Sequence, residues 1–211
     1  MRKHKISAML FGTMLFCSIC MSGCGEENTT SNQQESQSQK ETDKLGSGND
    51  LEESKSGFCN LNQFTAKTLD QQDFTKEDIA SKDVTVLNFW SLLCGPCIQE
   101  MPEIAKFAKS LPENVQVLTV CLDGAEEIDY TQNILEKAGF DGITLLQGDG
   151  DFGKMCSQVQ YTPTTLFLDK SGNVVGKAII GGQRNLAETY TEAINQVLSV
   201  AEKEELPVDG K

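Results

Sequence analysis

The sequence predicts an α/β domain in which a mixed central β-sheet is flanked by helices, with a short N-terminal hairpin in front of it. Three observations predict it. Two apolar, β-branched runs, VTVLNF at 84–89 and VQVLTVCL at 115–122, bracket a segment whose apolar residues recur at helical spacing. Further on, TTLFLDKSGNVVGKAII reads as two strands about the turn KSGN, and a helical pattern follows it. Ahead of all this, residues 25–57 offer only Leu45 and Leu51 as large apolar side chains, so the globular part begins after them.

The leader divides into two parts. Residues 1–23 join a basic start, Arg2-Lys3-His4-Lys5, to an apolar run from Ile6 to Met21 and the small pair Ser22-Gly23. This is the three-part layout of a secretory signal, with an apolar run short for a membrane span. The text MSGC, residues 21–24, resembles the lipobox of bacterial lipoproteins, with Met21 where that motif usually has Leu. The resemblance implies that Cys24 is diacylated and becomes the mature N-terminus. Residues 24–57 then form an acidic, disordered tether, unable to bury enough surface to offset its ordering entropy and on the order of 30 Å from end to end.

The folded domain is expected over 58–202, with a flexible tail at 203–211. FTAKTL and QDFT alternate around Asp70-Gln71 as a hairpin, and TKEDIA opens with the capping pair Thr75 and Asp78. VTVLNF is long and apolar enough for a buried strand. IQEMPEIAKFAKSL places Ile98, Met101, Ile104, Phe107 and Ala108 on one helical face. VQVLTVCL is the second strand, and a helix runs from about Glu126 to Ala138. Strand, helix and strand in that order form a right-handed parallel unit. ITLL is a short strand, DFGKMCSQV a helical piece, and LAETYTEAINQVLSVAEK the closing helix; no internal repeat is present.

Charge and cysteine content bound the function. The chain carries 18 Lys and Arg against 31 Asp and Glu, and without the signal 15 against 31, a net charge of −16. Nucleic acid and anionic lipid surfaces repel such a chain, so no nucleic-acid partner is expected, and membrane contact would come through the lipid anchor only. Of eight cysteines, Cys17 and Cys20 leave with the signal and Cys24 is the acylation site. Cys59, Cys94, Cys97, Cys121 and Cys156 remain in the folded part. An exported compartment is oxidising, where thiols tend to be paired or catalytic, and an odd count leaves at least one unpaired if all bonds are internal. Three pairings among Cys59, Cys121 and Cys156 stay open.

The stretch CGPC carries the chemistry. After a buried strand, it puts Cys94 at a helix N-terminus, where free amides and the helix dipole favour an anion and hence the thiolate that attacks disulfides. Cys97 lies about one helical turn on, at bonding distance. Gly95 allows a tight approach, and Pro96 is tolerated in a first turn because its missing N–H is not needed there. A zinc site would take four ligands as a rule, and the only histidine is His4 in the signal, so no metal is expected. The same absence rules out Ser-His and Cys-His nucleophilic sites in the mature chain and leaves proton transfer to a carboxylate, a thiol or water.

LNFWSLLCGPCIQEMP together with YTPTTLFLDKSGNVVGKAIIGG resembles the thioredoxin fold, and most of all the TlpA/ResA-like membrane-tethered thiol-disulfide oxidoreductases, over roughly Asn60 to Ala201. The resemblance implies that Cys94 attacks and Cys97 resolves. It implies that Pro163 is a cis-proline facing the disulfide and that Thr162 offers backbone hydrogen bonds to an extended substrate. From the residues alone, Pro163 could equally be a strand-edge proline. Glu100 would handle the proton of the buried thiol, although a Glu early in a helix is favoured by the dipole in any case. The rim offered to a partner would comprise Gly95, Pro96, Thr162 and Pro163, with Trp90 either lining it in part or packing beneath it. Leu93 departs from the family, which usually has Trp directly before the first Cys. Asn88 stands where cytoplasmic thioredoxins have a buried Asp, and agrees with the TlpA-like branch.

These readings converge on a lipid-anchored oxidoreductase on the extracytoplasmic face of a cell membrane, with no cofactor beyond the Cys94–Cys97 disulfide. The resemblance implies reduction of exported disulfide-bearing proteins, such as apocytochrome c or an exported reductase, fed by an integral-membrane thiol-electron carrier. Two alternatives belong to other classes. A peroxiredoxin-like peroxidase would have Pro where Leu87 stands, with Ser91 fitting its loop. A non-catalytic binding module would use the cysteine pair as a staple, yet so short a loop gains little from a crosslink.

Overall fold

The computed structural model describes residues 56–208. The signal at 1–23, Cys24 and the tether up to residue 55 lie outside the described residues. A two-stranded hairpin, β1 (Phe64–Lys67) and β2 (Asp73–Phe74), comes first, antiparallel with Ala66 opposite Phe74. Helix α1 (Lys76–Ala80) follows at once, and the Thr75 N–H donates to the Asp78 carboxylate at 2.7 Å, as the capping pair predicts. The hairpin lies against the segment after the fifth strand. Gly148 and Gly150 make room there, since a Cβ on either would run into the backbone carbonyls of Thr65 and Gln63.

The main sheet has five strands in the order β5-β4-β3-β6-β7. The central strand β3 (Val84–Trp90) pairs in parallel with β4 (Val115–Cys121) and antiparallel with β6 (Thr164–Asp169). Short β5 (Thr144–Leu145) pairs in parallel with β4, and short β7 (Ile179–Ile180) antiparallel with β6. The β3, α2 (Gly95–Ser110) and β4 succession is the predicted parallel unit, and β6 turned against β3 makes the sheet mixed.

Every residue of β3 is buried, because both faces of the sheet are covered. On one face Val86, Trp90, Val117 and Phe167 meet α2, α3 (Ile128–Ala138) and α5 (Leu186–Val200). On the other, Leu87, Phe89, Leu118 and Leu166 meet α1, α4 (Gly150–Gln158) and the hairpin. The domain is thus three layers deep, and Pro102 sits within α2.

Three local expectations are corrected. The third helix begins at Ile128, with a 3-10 turn at Gly124–Glu126 ahead of it, as Glu127 with φ −133° interrupts the helical run. The arm after the KSGN turn does not continue as a strand. It touches β6 at Val174, leaves it at Gly176, whose φ of +76° turns the backbone, and pairs again only at Ile179–Ile180. The C-terminal stretch expected to be a flexible tail from Lys203 is tied back as far as Leu206. The Asn195 side chain accepts from the Leu206 N–H at 2.6 Å and donates to its carbonyl at 2.8 Å.

Candidate active site

β3 ends at Trp90, and residues 91–93 carry the chain to the N-terminus of α2. This connection is pinned on both sides. The Leu92 N–H donates to Asp123 Oδ1 at 2.9 Å, and the Leu122 N–H donates to the Trp90 carbonyl at 3.0 Å, so the exit of β4 braces the exit of β3. Cys94 is the N-cap of α2, and its Sγ accepts the Cys97 N–H at 3.2 Å. The two sulfurs are bonded, with the Cα atoms 5.3 Å apart.

The two cysteines are unequal. Cys94 is partly exposed, whereas Cys97 is 1% exposed and packs into the core below it. Free helical amides and the dipole stabilise negative charge on Cys94 once the bond opens, and no acidic residue occupies the first turn of α2 to oppose them. Only Cys94 can be reached from solvent. Gly95 and Pro96 are exposed beside it. A Cβ on Gly95 would meet nothing within 4 Å, so the room its lack of side chain leaves faces outward, toward an approaching chain.

The strand register brings the second part of the site to the same end of the sheet. Phe89 is opposite Thr164 and Thr164 is opposite Ile180, so the chain just before β6 lies beside the loop that follows β3. The Thr162–Pro163 peptide bond is cis. The Pro163 carbonyl accepts the Gly181 N–H at 2.8 Å, and the Thr164 hydroxyl donates to the Tyr161 carbonyl at 2.7 Å. Pro163 is buried and Thr162 half-buried.

Leu93 (94% exposed), Tyr161 (67%) and Ile180 (59%) stand at this end with their side chains in solvent. Leu93 directly precedes Cys94, Tyr161 lies two residues before Pro163, and Ile180 pairs with Thr164, the residue after Pro163, so the three form an apolar rim of the kind that marks interaction sites. Sequence reading picked out Leu93 alone. Tyr161 and Ile180 went unnoticed because they lie in an irregular stretch and in a two-residue strand. Of the two placements the sequence leaves open for Trp90, lining the rim in part or packing beneath it, the structure shows the second: the last residue of β3 is fully buried, points to the α2 face and packs beneath the loop.

Glu100 is one turn beyond Cys97 on α2 and is 8% exposed. Its Oε1 accepts the Gln183 N–H at 2.8 Å. Burial holds its pKa above the ordinary carboxylate range, the Gln183 N–H opposes that, and neighbouring Glu103 adds to it. A carboxyl so placed can keep a proton near neutrality better than an exposed one. Beneath it runs a polar thread. The Tyr190 and Thr165 hydroxyls are 2.7 Å apart, and Asn88 Nδ2 donates to Thr165 Oγ1 at 3.0 Å and lies 3.4 Å from the Tyr190 oxygen. Asn88 Oδ1 and Trp90 Nε1 are buried with no hydrogen-bond partner among the described residues. The Tyr190 hydroxyl is raised by burial, with a smaller contribution from the charge of Glu100.

Cys121 ends β4 beside Trp90, fully buried. Burial, reinforced by Asp123, pushes its thiol up to about 12, which makes it a small core residue rather than a nucleophile. Among the described residues no group of three or more His, Cys, Asp or Glu side chains is arranged to hold a metal ion.

Comparison with known proteins agrees with this geometry. Residues 56–193 match the family described as Redoxin. A thioredoxin-like protein of Bacillus subtilis, YneN, is 38% identical over 109 residues, and one of Haemophilus influenzae is 31% identical over 110; each alignment covers 52% of this chain and 63% of the relative. The chain thus matches less than two thirds of the length of these relatives. The thiol-disulfide oxidoreductase ResA of Halalkalibacterium halodurans is 24% identical over 140 residues, 62% of this chain and 73% of that protein. Among solved structures, that of MTB dsbF superposes with a TM-score of 0.50 at 29% identity, covering 66% of this chain and 96% of that one. StoA of Bacillus subtilis gives 0.51 at 23% identity, over 64% and 98%, a likeness of fold.

Proposed function

The chain belongs to the Redoxin family, as a TlpA/ResA-like member of the thioredoxin superfamily, and from that premise we propose that it is a thiol-disulfide oxidoreductase that reduces disulfides in exported proteins. The observation that carries this reading is the inequality of the pair: Cys94 partly exposed at a helix N-terminus, Cys97 buried one turn behind it.

In the reduced protein the Cys94 thiolate attacks one sulfur of a partner disulfide. The other partner sulfur leaves as a thiolate and takes up a proton. Cys97, relieved of its own proton, then attacks the Cys94 sulfur, expelling the partner's second sulfur as a thiolate and closing the Cys94–Cys97 bond. The partner gains two electrons and two protons, and the couple is oxidised by the same amount. In this reading Glu100 moves the Cys97 proton, supported by its position one turn along α2 and by the lack of a histidine in the mature chain. Thr162 and Pro163 would hold the partner's chain across the sulfur, and Leu93, Tyr161 and Ile180 would meet its apolar side chains.

The cellular setting belongs to the same proposal. Cys24 carries lipid, residues 24–57 hold the domain near the extracytoplasmic face of a cell membrane, and an integral-membrane thiol carrier re-reduces the couple. The partners are disulfide-bearing exported proteins, such as apocytochrome c or an exported reductase. The relatives named as thiol-disulfide oxidoreductases support the chemistry, and the resemblance of residues 21–24 to a lipobox supports the anchor.

A Cys97→Ser variant tests the reading. It should accumulate partners bonded to Cys94 that dithiothreitol releases, and a reduction potential near or below about −230 mV should be measured for the couple. A potential near about −120 mV would make the protein an oxidant instead. Consumption of peroxide with a thiol reductant, in place of partner trapping, would favour the peroxidase reading.

A further inference from the structure

The sequence leaves three pairings open among Cys59, Cys121 and Cys156, and the sheet removes two of them. Cys121 lies in the cluster under α2, α3 and α5, while Cys156 belongs to the cluster on the opposite face, and Cys59 packs against that same cluster. The segment that enters the domain runs along α4, where Cys156 sits. Gln158 Nε2 donates to the Gly57 carbonyl at 3.3 Å, and the Cys59 N–H donates to Gln158 Oε1 at 3.0 Å. The Cys59 thiol donates to the Asp151 carbonyl at 3.4 Å, and the Asp151 carboxylate accepts the N–H groups of Asn62 and Gln63 at 3.0 and 2.9 Å.

Cys59 is therefore held between the first and last turns of α4. Cys156 occupies the buried face of that helix between those two contacts, and helical side chains lean toward the helix N-terminus, here toward the turn that Cys59 touches. The Cys156 thiol also feels Cys59. Burial is the main reason the Cys156 thiol is pushed up to about 12, and the nearby charge of Cys59 adds to it.

We propose that Cys59 and Cys156 form a second disulfide, a clip that fastens the first residues of the folded domain to α4 on the face of the sheet opposite the α2 layer. The oxidant is a small-molecule disulfide, RSSR. Cys59, half-exposed, attacks it as the thiolate, giving a Cys59–SR mixed disulfide and one RS⁻. Cys156 then attacks the Cys59 sulfur and expels the second RS⁻. The two protons given up by the cysteines end on two RSH molecules, so two thiols are oxidised and one disulfide is reduced. The inference stands apart from the proposed reaction at Cys94, because neither cysteine belongs to that site. Since both thiols are raised, Cys59 by burial and then by Asp151, the clip should close faster at pH 9 than at pH 7.

Tryptic mapping tests it, because the cysteines fall in separate peptides: Cys59 in 56–67, Cys94 and Cys97 in 83–106, Cys121 in 110–137 and Cys156 in 155–170. The purified full-length protein is incubated with oxidised glutathione, alkylated in denaturant, digested without reduction and analysed by mass spectrometry. The expected product is peptide 56–67 joined to 155–170 and separated by dithiothreitol. Recovery of both peptides alkylated, or of Cys59 arrested as its glutathione adduct beside an alkylated Cys156, when 83–106 already carries its internal bond, would overturn the clip. Thermal unfolding gives a second readout. Dithiothreitol should lower Tm by several degrees more in the wild-type protein than in Cys59→Ser, a substitution at a half-exposed position, and an equal fall in both also refutes it.

Discussion

Leu93→Ala should slow the reduction of protein disulfides about fivefold while leaving small disulfides untouched. Leu93 is 94% exposed in the free protein, so truncating it removes almost no buried surface and should leave Tm unchanged. Any cost must arise in the complex. Fully burying a leucine side chain is favourable by roughly 1.5–3 kcal/mol relative to leaving it exposed. A rim position that loses about half of its exposure on docking, corrected for the methyl group that alanine keeps, leaves about 1 kcal/mol, which is close to fivefold in kcat/KM. The assay compares reduction of a folded disulfide protein with that of oxidised glutathione, which is too small to span the rim. Leu93→Trp, the residue usual in related proteins, should restore or raise the rate. An unchanged rate with the protein substrate, or an equal loss with both substrates, would refute the role assigned to the rim.

Two further outcomes bear on the interior of the site. Because burial raises the Glu100 carboxyl in the folded state, folding favours its protonated form; that contribution is complete below the unfolded carboxyl value of about 4.3 and is lost as pH rises through the folded value. Glu100→Gln, which keeps the acceptor for the Gln183 N–H, should therefore match the wild type in denaturant unfolding near pH 4 and exceed it at pH 8, and it should slow decay of the Cys94 mixed disulfide; a stability difference flat in pH would refute the assignment. Tyr190→Phe keeps the edge-to-face contacts with Phe107 and Phe167 but leaves the Thr165 hydroxyl and the Asn88 amide short of a partner. It should cost about 1–2 kcal/mol, a fall of roughly 2–8 °C in Tm, and an unchanged Tm would mean the hydroxyl network contributes nothing.

What could be read from the sequence follows the range of the interactions concerned. β3, α2 and β4 were legible because local periodicity reports burial, and a strand covered on both faces is a continuous apolar run whatever its neighbours are. That same continuity hid the place of Trp90, since a run without alternation does not say which face a residue takes. The arm after KSGN looked like a strand by composition, and its early departure at Gly176 depends on close approach to the Gln196 side chain on α5, where a Cβ would sit 2.6 Å from the amide oxygen. Cys94 and Cys97 were legible from spacing alone. The Gln183 N–H on Glu100, the neighbourhood of Cys59 and Cys156, and the gathering of Leu93, Tyr161 and Ile180 were not, because each joins segments that only the tertiary packing brings together. The cis bond at Pro163 came from family resemblance and from nothing in the local residues.

In the proposed reaction, the burial of Cys97 beneath Cys94 also sets how long a partner can be retained. Only one sulfur is presented, so every covalent encounter begins at Cys94, and the group that ends it is already in place one helical turn away rather than arriving from solution. Dwell time is then governed by the protein's own first turn of helix and by how readily Cys97 loses its proton, not by the tightness of the partner's fit. A protein built this way can serve partners of differing shape and weak affinity without being sequestered by any of them.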